Sequence, residues 1–125
     1  GERAEILQDM RKKGIKFVSG IDSGMLYVRF GDIAYTPERM VDVIGMGNME
    51  AIVACTKTSA ECLDVAEETG TLDKNKSADI IVVDGNPDED IKSLHNVTSV
   101  MLRGELVKDN GIELVWINKY EWRQF

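Results

Sequence analysis

Ile15-Lys16-Phe17-Val18-Ser19-Gly20-Ile21-Asp22-Ser23-Gly24 is the stretch whose reading decides the fold. From Ile15 to Ile21 the residues are β-branched and aromatic with little charge, the composition of a strand buried on both faces of a parallel sheet. Asp22 stands at the last turn of that strand, and Ser23 and Gly24 open a loop. Barrel enzymes keep catalytic groups at such strand ends. Asp22 has two readings: a metal ligand or general base at the strand mouth, or an ordinary acid capping the loop through backbone N–H groups.

Upstream, residues 2–13 read as a helix, with Ala4, Ile6, Leu7 and Met10 at helical spacing, a basic end at Arg11, Lys12 and Lys13, and Gly14 as the stop. Helix then strand is one αβ step of a wound α/β architecture. Downstream, residues 23–35 show no sustained period and read as a long loop over the strand's C-terminal end, where function concentrates. Thr36-Pro37-Glu38 is a helix-start signature, with Thr36 as N-cap and Pro37 at the first helical position. Met40, Val41, Val43 and Ile44 give that helix an apolar face up to Gly45, and further helices are predicted over 49–57 and 58–67. Beyond Gly70 the pattern turns to strand: 78–84, a turn at Gly85-Asn86-Pro87, a short helical turn at 90–94, and a hairpin of 97–102 with 105–107 around Arg103-Gly104. The tail from Ile112 carries a weak strand near 114–117.

Composition narrows the partners. With 15 Lys and Arg against 22 Asp and Glu, the net charge of −7 opposes binding to nucleic acid, whose affinity comes from cationic contacts to phosphate. No long apolar run or export signal is visible, so a soluble, cytoplasmic protein without a membrane partner is expected. Cys55 and Cys62 are seven apart on a predicted helix, about 10 Å along its axis. That is too far for a disulfide, and both are expected to be reduced core residues.

Other constellations are poorer in chemistry. Ser23 lacks a base in the right order for a serine nucleophile, since His95 lies far downstream, in a context that suits a surface or capping histidine. Gly45-Met46-Gly47-Asn48-Met49-Glu50-Ala51 approaches a dinucleotide fingerprint, but Glu50 stands where a small residue belongs and the motif requires a preceding strand. Asp88-Glu89-Asp90 lacks the spacing of a calcium loop and reads as a solvated turn.

Three strings carry a resemblance to a known family: Phe17 to Gly24, Met49 to Glu61, and Gly70-Thr71-Leu72-Asp73-Lys74-Asn75-Lys76-Ser77-Ala78-Asp79-Ile80-Ile81-Val82-Val83-Asp84-Gly85-Asn86-Pro87. Together they resemble the C-terminal part of a metal-dependent amidohydrolase of the imidazolonepropionase-like and dipeptidase-like branch. The resemblance implies an α/β fold: the final αβ unit of a (β/α)8 TIM barrel in residues 1–69, and the C-terminal strands of a small β-sandwich subdomain, with the tail, in 70–125. It gives Asp22 the roles of metal ligand and proton acceptor from the attacking water, with Ser23 and Gly24 shaping the substrate pocket. It further implies a divalent metal, zinc, and a small amide, cyclic amide or dipeptide-like substrate in the complete protein. The His-x-His pair and the other metal ligands of the family pattern have no counterpart in this sequence. The chain is therefore expected to be a fragment, inactive alone, with the N-terminal barrel segment as its partner; oligomerisation is left open. Asn75 replaces a usual Gly, and Gly47-Asn48 replaces a usual Thr-Pro helix start that Asn48 can cap. The alternative from another class is a non-enzymatic α/β module that binds a ligand or partner through the 23–35 loop; a dinucleotide-binding domain ranks below it.

Overall fold

The computed structural model describes residues 1–23, 28–29 and 31–114. Helix α1 (Glu2–Lys12) carries Glu2 and Glu5 in its first turn and Arg11 and Lys12 in its last, both complementing the helix dipole. It ends in paired reverse bonds, Gly14 N–H to the Arg11 carbonyl at 2.9 Å and Ile15 N–H to the Met10 carbonyl at 3.1 Å. Leu7 packs against the core, while Ile6, expected on the same apolar face, is exposed.

Residues 15–21 follow as a segment that alternates. Phe17, Ser19 and Ile21 are half-buried; Val18, Gly20 and Asp22 are exposed. The expectation of a strand buried on both faces is corrected here. Ile15 and Val18 are 48% and 42% exposed, and no described residue pairs with this segment as a strand. A parallel strand completes its ladder and covers both faces only when other strands and layers surround it.

A 3-10 turn at Asp32–Ala34 enters α2 (Tyr35–Arg39), which continues through a π-turn at Met40–Ile44 to Gly45. The N-cap of α2 is Ala34 with no side-chain cap bond, and Thr36 lies inside the helix, because the preceding turn already supplies helical backbone. Pro37 is tolerated within the first turn, where N–H groups lack helical acceptors. Since residues 40–44 are helical, Gly45-Met46-Gly47 does not follow a strand and the dinucleotide reading fails.

The next run, α3 (Asn48–Val53), a π-turn at Ala54–Thr58 and α4 (Ser59–Cys62), is continuous. Gly47, not Asn48, is its N-cap; Glu50 Oε2 accepts the Gly47 N–H at 3.2 Å, and the Asn48 amide donates instead to the Asp88 carbonyl at 2.8 Å. The helix predicted to reach Glu67 stops at Cys62. Asp64 takes φ 59°, and the Asp64 and Val65 N–H groups turn back to the Glu61 and Ala60 carbonyls. Cys62 is exposed, contrary to expectation, because the helix ends at it; Cys55 is half-buried and both thiols are free.

Strands β1 (Ile80–Val83), β2 (Val97–Leu102), β3 (Glu105–Asp109) and β4 (Ile112–Glu113) form an antiparallel meander in chain order. Arg103 and Gly104, at φ 51° and 81°, make the two-residue turn of the predicted hairpin. A second turn of the same kind at Asn110-Gly111 creates β4, which the sequence reading had not placed. Leu114 lies in no strand, and the rest of the predicted 114–117 strand falls outside the described residues. Between β1 and β2 a 3-10 turn (Ile91–His95) matches the short helical turn expected there, capped by Asp90 Oδ1 on the Lys92 N–H at 3.0 Å. It inserts Ile91 among Met40, Ile44, Met46, Ala51 and Ala54, so one core unites residues on both sides of position 70.

Gly70 closes the connection from helix to sheet. Its φ is 94°, and a Cβ there would stand 2.5 Å from the Ala60 Cβ and 3.2 Å from the Thr56 carbonyl oxygen. Gly70→Ala is therefore expected to lower stability by about 1–3 kcal/mol. Gly31→Ala, at φ −82° with open space around it, should change stability by less than about 0.5 kcal/mol. Thermal unfolding of the two variants beside the parent checks this.

Candidate active site

Asp22 is exposed at the end of the extended segment, beyond the half-buried Phe17, Ser19 and Ile21. Its φ of 45° is left-handed, a conformation that Asp tolerates better than most residues and that turns the chain sharply out of the segment. The carboxylate is exposed and bonds to no described residue, so the loop-capping reading finds no N–H partner among them. Ser23 is also exposed, in the turn; Gly24 lies outside the described residues. Asp32 Oδ2 accepts the Arg29 N–H at 2.7 Å, which starts the helical turn earlier than the loop reading had it.

The segment that bears Asp22 is held against the helices at Ser19. Its N–H donates to Ser59 Oγ at 3.0 Å, and that hydroxyl donates to the Ala54 carbonyl at 2.7 Å. Sequence reasoning missed Ser59. A serine in mid-helix with a carbonyl to bond is a weak signal, and its strand partner is 40 residues away. Beside the segment lies a cleft of about 830 Å³ whose lining includes Phe17, Val18, Gly20, Ile21, Tyr35 and Met40 but not Asp22.

His95 stands apart, exposed at the end of its 3-10 turn as the surface reading expects, and it caps no helix end. Its Nε2 lies 2.8 Å from Glu38 Oε2, and its ring meets the edge of Tyr35 at 4.6 Å. The acidic residues Asp88, Glu89 and Asp90 are exposed in a turn, as expected. Burial pushes the Cys55 thiol above its ordinary range, which makes it a packing group rather than a nucleophile.

Among the described residues no three of His, Cys, Asp and Glu converge as a metal site. Asp22 is an exposed carboxylate with no bond to another described residue. A zinc site takes three protein ligands and a water, so these residues do not complete one. No described helix is long and apolar enough to cross a membrane.

Residues 2–107 match the model of the amidohydrolase family. An adenine deaminase of Clostridium botulinum (strain Loch Maree / Type A3) is 31% identical over 78 residues, which are 62% of this chain and 12% of that protein. A solved Xaa-Pro dipeptidase with methionine bound in its active site has a TM-score of 0.76 at 33% identity, over 84% of this chain and 25% of its own. The ochratoxinase of A. niger gives 0.73 at 33% identity, over 87% and 25%. The chain thus spans a minor part of the length of each of these relatives.

One charged pair braces α1 against α3 beneath the site. Arg11 Nε and Nη2 grip the Glu50 carboxylate at 3.0 and 2.6 Å. The Arg11 bond, with help from the Gly47 N–H, holds the Glu50 carboxyl below its ordinary 4.5. A carboxyl lowered on folding stabilises above its unfolded pKa and loses that contribution as pH falls through the folded one. The stability gap between the parent and Glu50→Gln should thus be level from pH 7 to about 5 and close below 4.5, as measured by urea unfolding at each pH.

Proposed function

Because the chain belongs to the amidohydrolase family, we propose that it is the C-terminal portion of a metal-dependent hydrolase that cleaves carbon–nitrogen bonds in small amides, cyclic amides or dipeptide-like substrates. Residues 1–69 would close a (β/α)8 barrel, with 15–21 as its last strand between α1 and α2, and 70–125 would belong to a small β-sandwich beside it. The observation that carries this reading is the alternation at residues 17–22. Side chains of a barrel strand point in turn to the surrounding helices and to the interior. Phe17, Ser19 and Ile21 take the helix side, which leaves Val18, Gly20 and Asp22 for the interior, Asp22 last at the C-terminal mouth where such enzymes do their chemistry.

The relatives' names agree with carbon–nitrogen cleavage, since a Xaa-Pro dipeptidase splits a peptide bond and an adenine deaminase removes an amine. In this reading Asp22 would be one of the residues that hold a divalent cation, zinc, whose chemistry when bound would be to acidify a water and polarise the substrate carbonyl. Asp22 would supply one oxygen ligand and its carboxylate would accept the proton of the attacking water, to be returned to the departing nitrogen. Ser23 and Gly24 shape the adjoining pocket wall. The other ligands and most substrate contacts come from the remainder of the barrel, the segment this chain partners.

Replacing Asp22 by Asn in the complete enzyme should lower kcat by about 10²–10⁴-fold with the far-ultraviolet dichroism unchanged. Ser23→Ala should cost less than about tenfold, in line with a wall rather than a chemical role. Steady-state hydrolysis of a dipeptide series is the measurement, and Asp22→Asn retaining more than half the parental rate would remove Asp22 from the mechanism.

A further inference from the structure

We propose that Ser59 is a positioning residue for Asp22: its hydroxyl fixes the height and tilt of the last strand against the helix, and so the place of the carboxylate. This rests on the reading of Asp22 given above. Within residues 15–21 the Ile15 N–H is spent on the end of α1, and the Ser19 N–H is the bond that ties the segment to the helix packed behind it.

The geometry makes Ser59 a directed link. A hydroxyl has one proton and two lone pairs. The proton is committed to the buried Ala54 carbonyl at 2.7 Å, five residues back, a reach that suits the wider π-turn at Ala54–Thr58. With the rotor fixed in this way, a lone pair faces the Ser19 N–H at 3.0 Å. The chain from N–H through O–H to C=O is polarised in one sense, which strengthens both bonds.

Leverage turns that anchor into a control on chemistry. Asp22 lies three residues beyond Ser19, about 10 Å along an extended chain. A tilt of about 6° at the anchor then carries the carboxylate about 1 Å, a displacement able to cost about 10²-fold in rate. Removing the hydroxyl also leaves the half-buried Ser19 N–H without its acceptor, so the segment has reason to shift.

The test uses the complete enzyme with Ser59→Ala, Ser59→Thr and Ser59→Val, the last two equal in volume and different in the hydroxyl. Amide exchange at Ser19 should rise about tenfold or more in Ser59→Ala and Ser59→Val and stay near parental in Ser59→Thr. In the same pair of hydroxyl-free variants kcat should fall about 10–100-fold with KM changed less than about threefold, and Ser59→Thr should restore it. Should Ser59→Ala fail to fold, the Thr and Val comparison carries the same decision. Unaltered Ser19 exchange without the hydroxyl overturns the proposal, and so does faster exchange with an unaltered kcat. Failure of the Asp22 reading is seen separately, as full activity of Asp22→Asn.

Discussion

The helical and sheet halves of the chain meet where Ile91 enters the core, and the position of the sheet depends on that contact. Ile91 is buried among Met40, Ile44, Met46, Ala51 and Ala54. Burying such a side chain stabilises by about 1.5–3 kcal/mol, a large contribution where so few residues are shielded from water. Polar bonds flank it on two sides: His95 with Glu38 at 2.8 Å, and Asn48 with the Asp88 carbonyl at 2.8 Å. They align the Ile91–His95 turn over α2 and α3, and the sheet leaves from that turn in its observed direction.

What the core covers is small. Its buried alanines, Ala51, Ala54 and Ala60, allow close approach of backbone but bring little apolar area. Meanwhile Ile81 and Val82, neighbours that must point to opposite faces of the sheet, are each 53% exposed. Neither face of the sheet is fully covered, and the Val18 side of the extended segment is bare as well. Apolar surfaces of this kind ordinarily meet other parts of a fold. That supports the reading of the chain as one portion of a barrel enzyme over the reading of a self-contained binding module.

Local chemistry made much of this legible in the sequence. Helix α1, the 97–102 hairpin and the 80–83 strand were each signalled by period, charge placement or turn residues, and the structure has them close to where they were expected. Features set by distant neighbours were not legible. The Ile15–Ile21 composition announced burial on both faces, which only surrounding strands can provide. Thr36-Pro37 looked like a helix start, yet the turn at Asp32–Ala34 had already begun the helix through the Arg29 contact with Asp32. Asn110-Gly111 is a strong local hairpin signal, and the structure turns there. At the site, Asp22 could be picked out by its position after an apolar run, whereas Ser59 could not, because its significance exists only across the 40 residues to Ser19.

The charged groups of the long string at 70–87 sharpen the contrast with Asp22. Lys76 Nζ donates to the Ala66 carbonyl at 2.5 Å and to Thr71 Oγ1 at 2.7 Å, closing the loop that Gly70 begins. Asp79 Oδ1 accepts the Arg103 N–H at 2.8 Å and its Oδ2 the Thr69 hydroxyl at 3.1 Å, which pins the hairpin turn to the start of β1. The Arg103 N–H, with the Ser77 and Thr69 hydroxyls, holds the Asp79 carboxyl below its ordinary 3.8. A carboxylate whose charged form is held by such bonds is a weakened base. The most recognisable stretch of the sequence therefore spends its charges on architecture. Asp22 differs: it ends a segment rather than bridging two, its left-handed backbone turns the chain out of that segment, and no other described residue is bonded to its oxygens. The proposal that Asp22 accepts a proton from an attacking water rests on that difference.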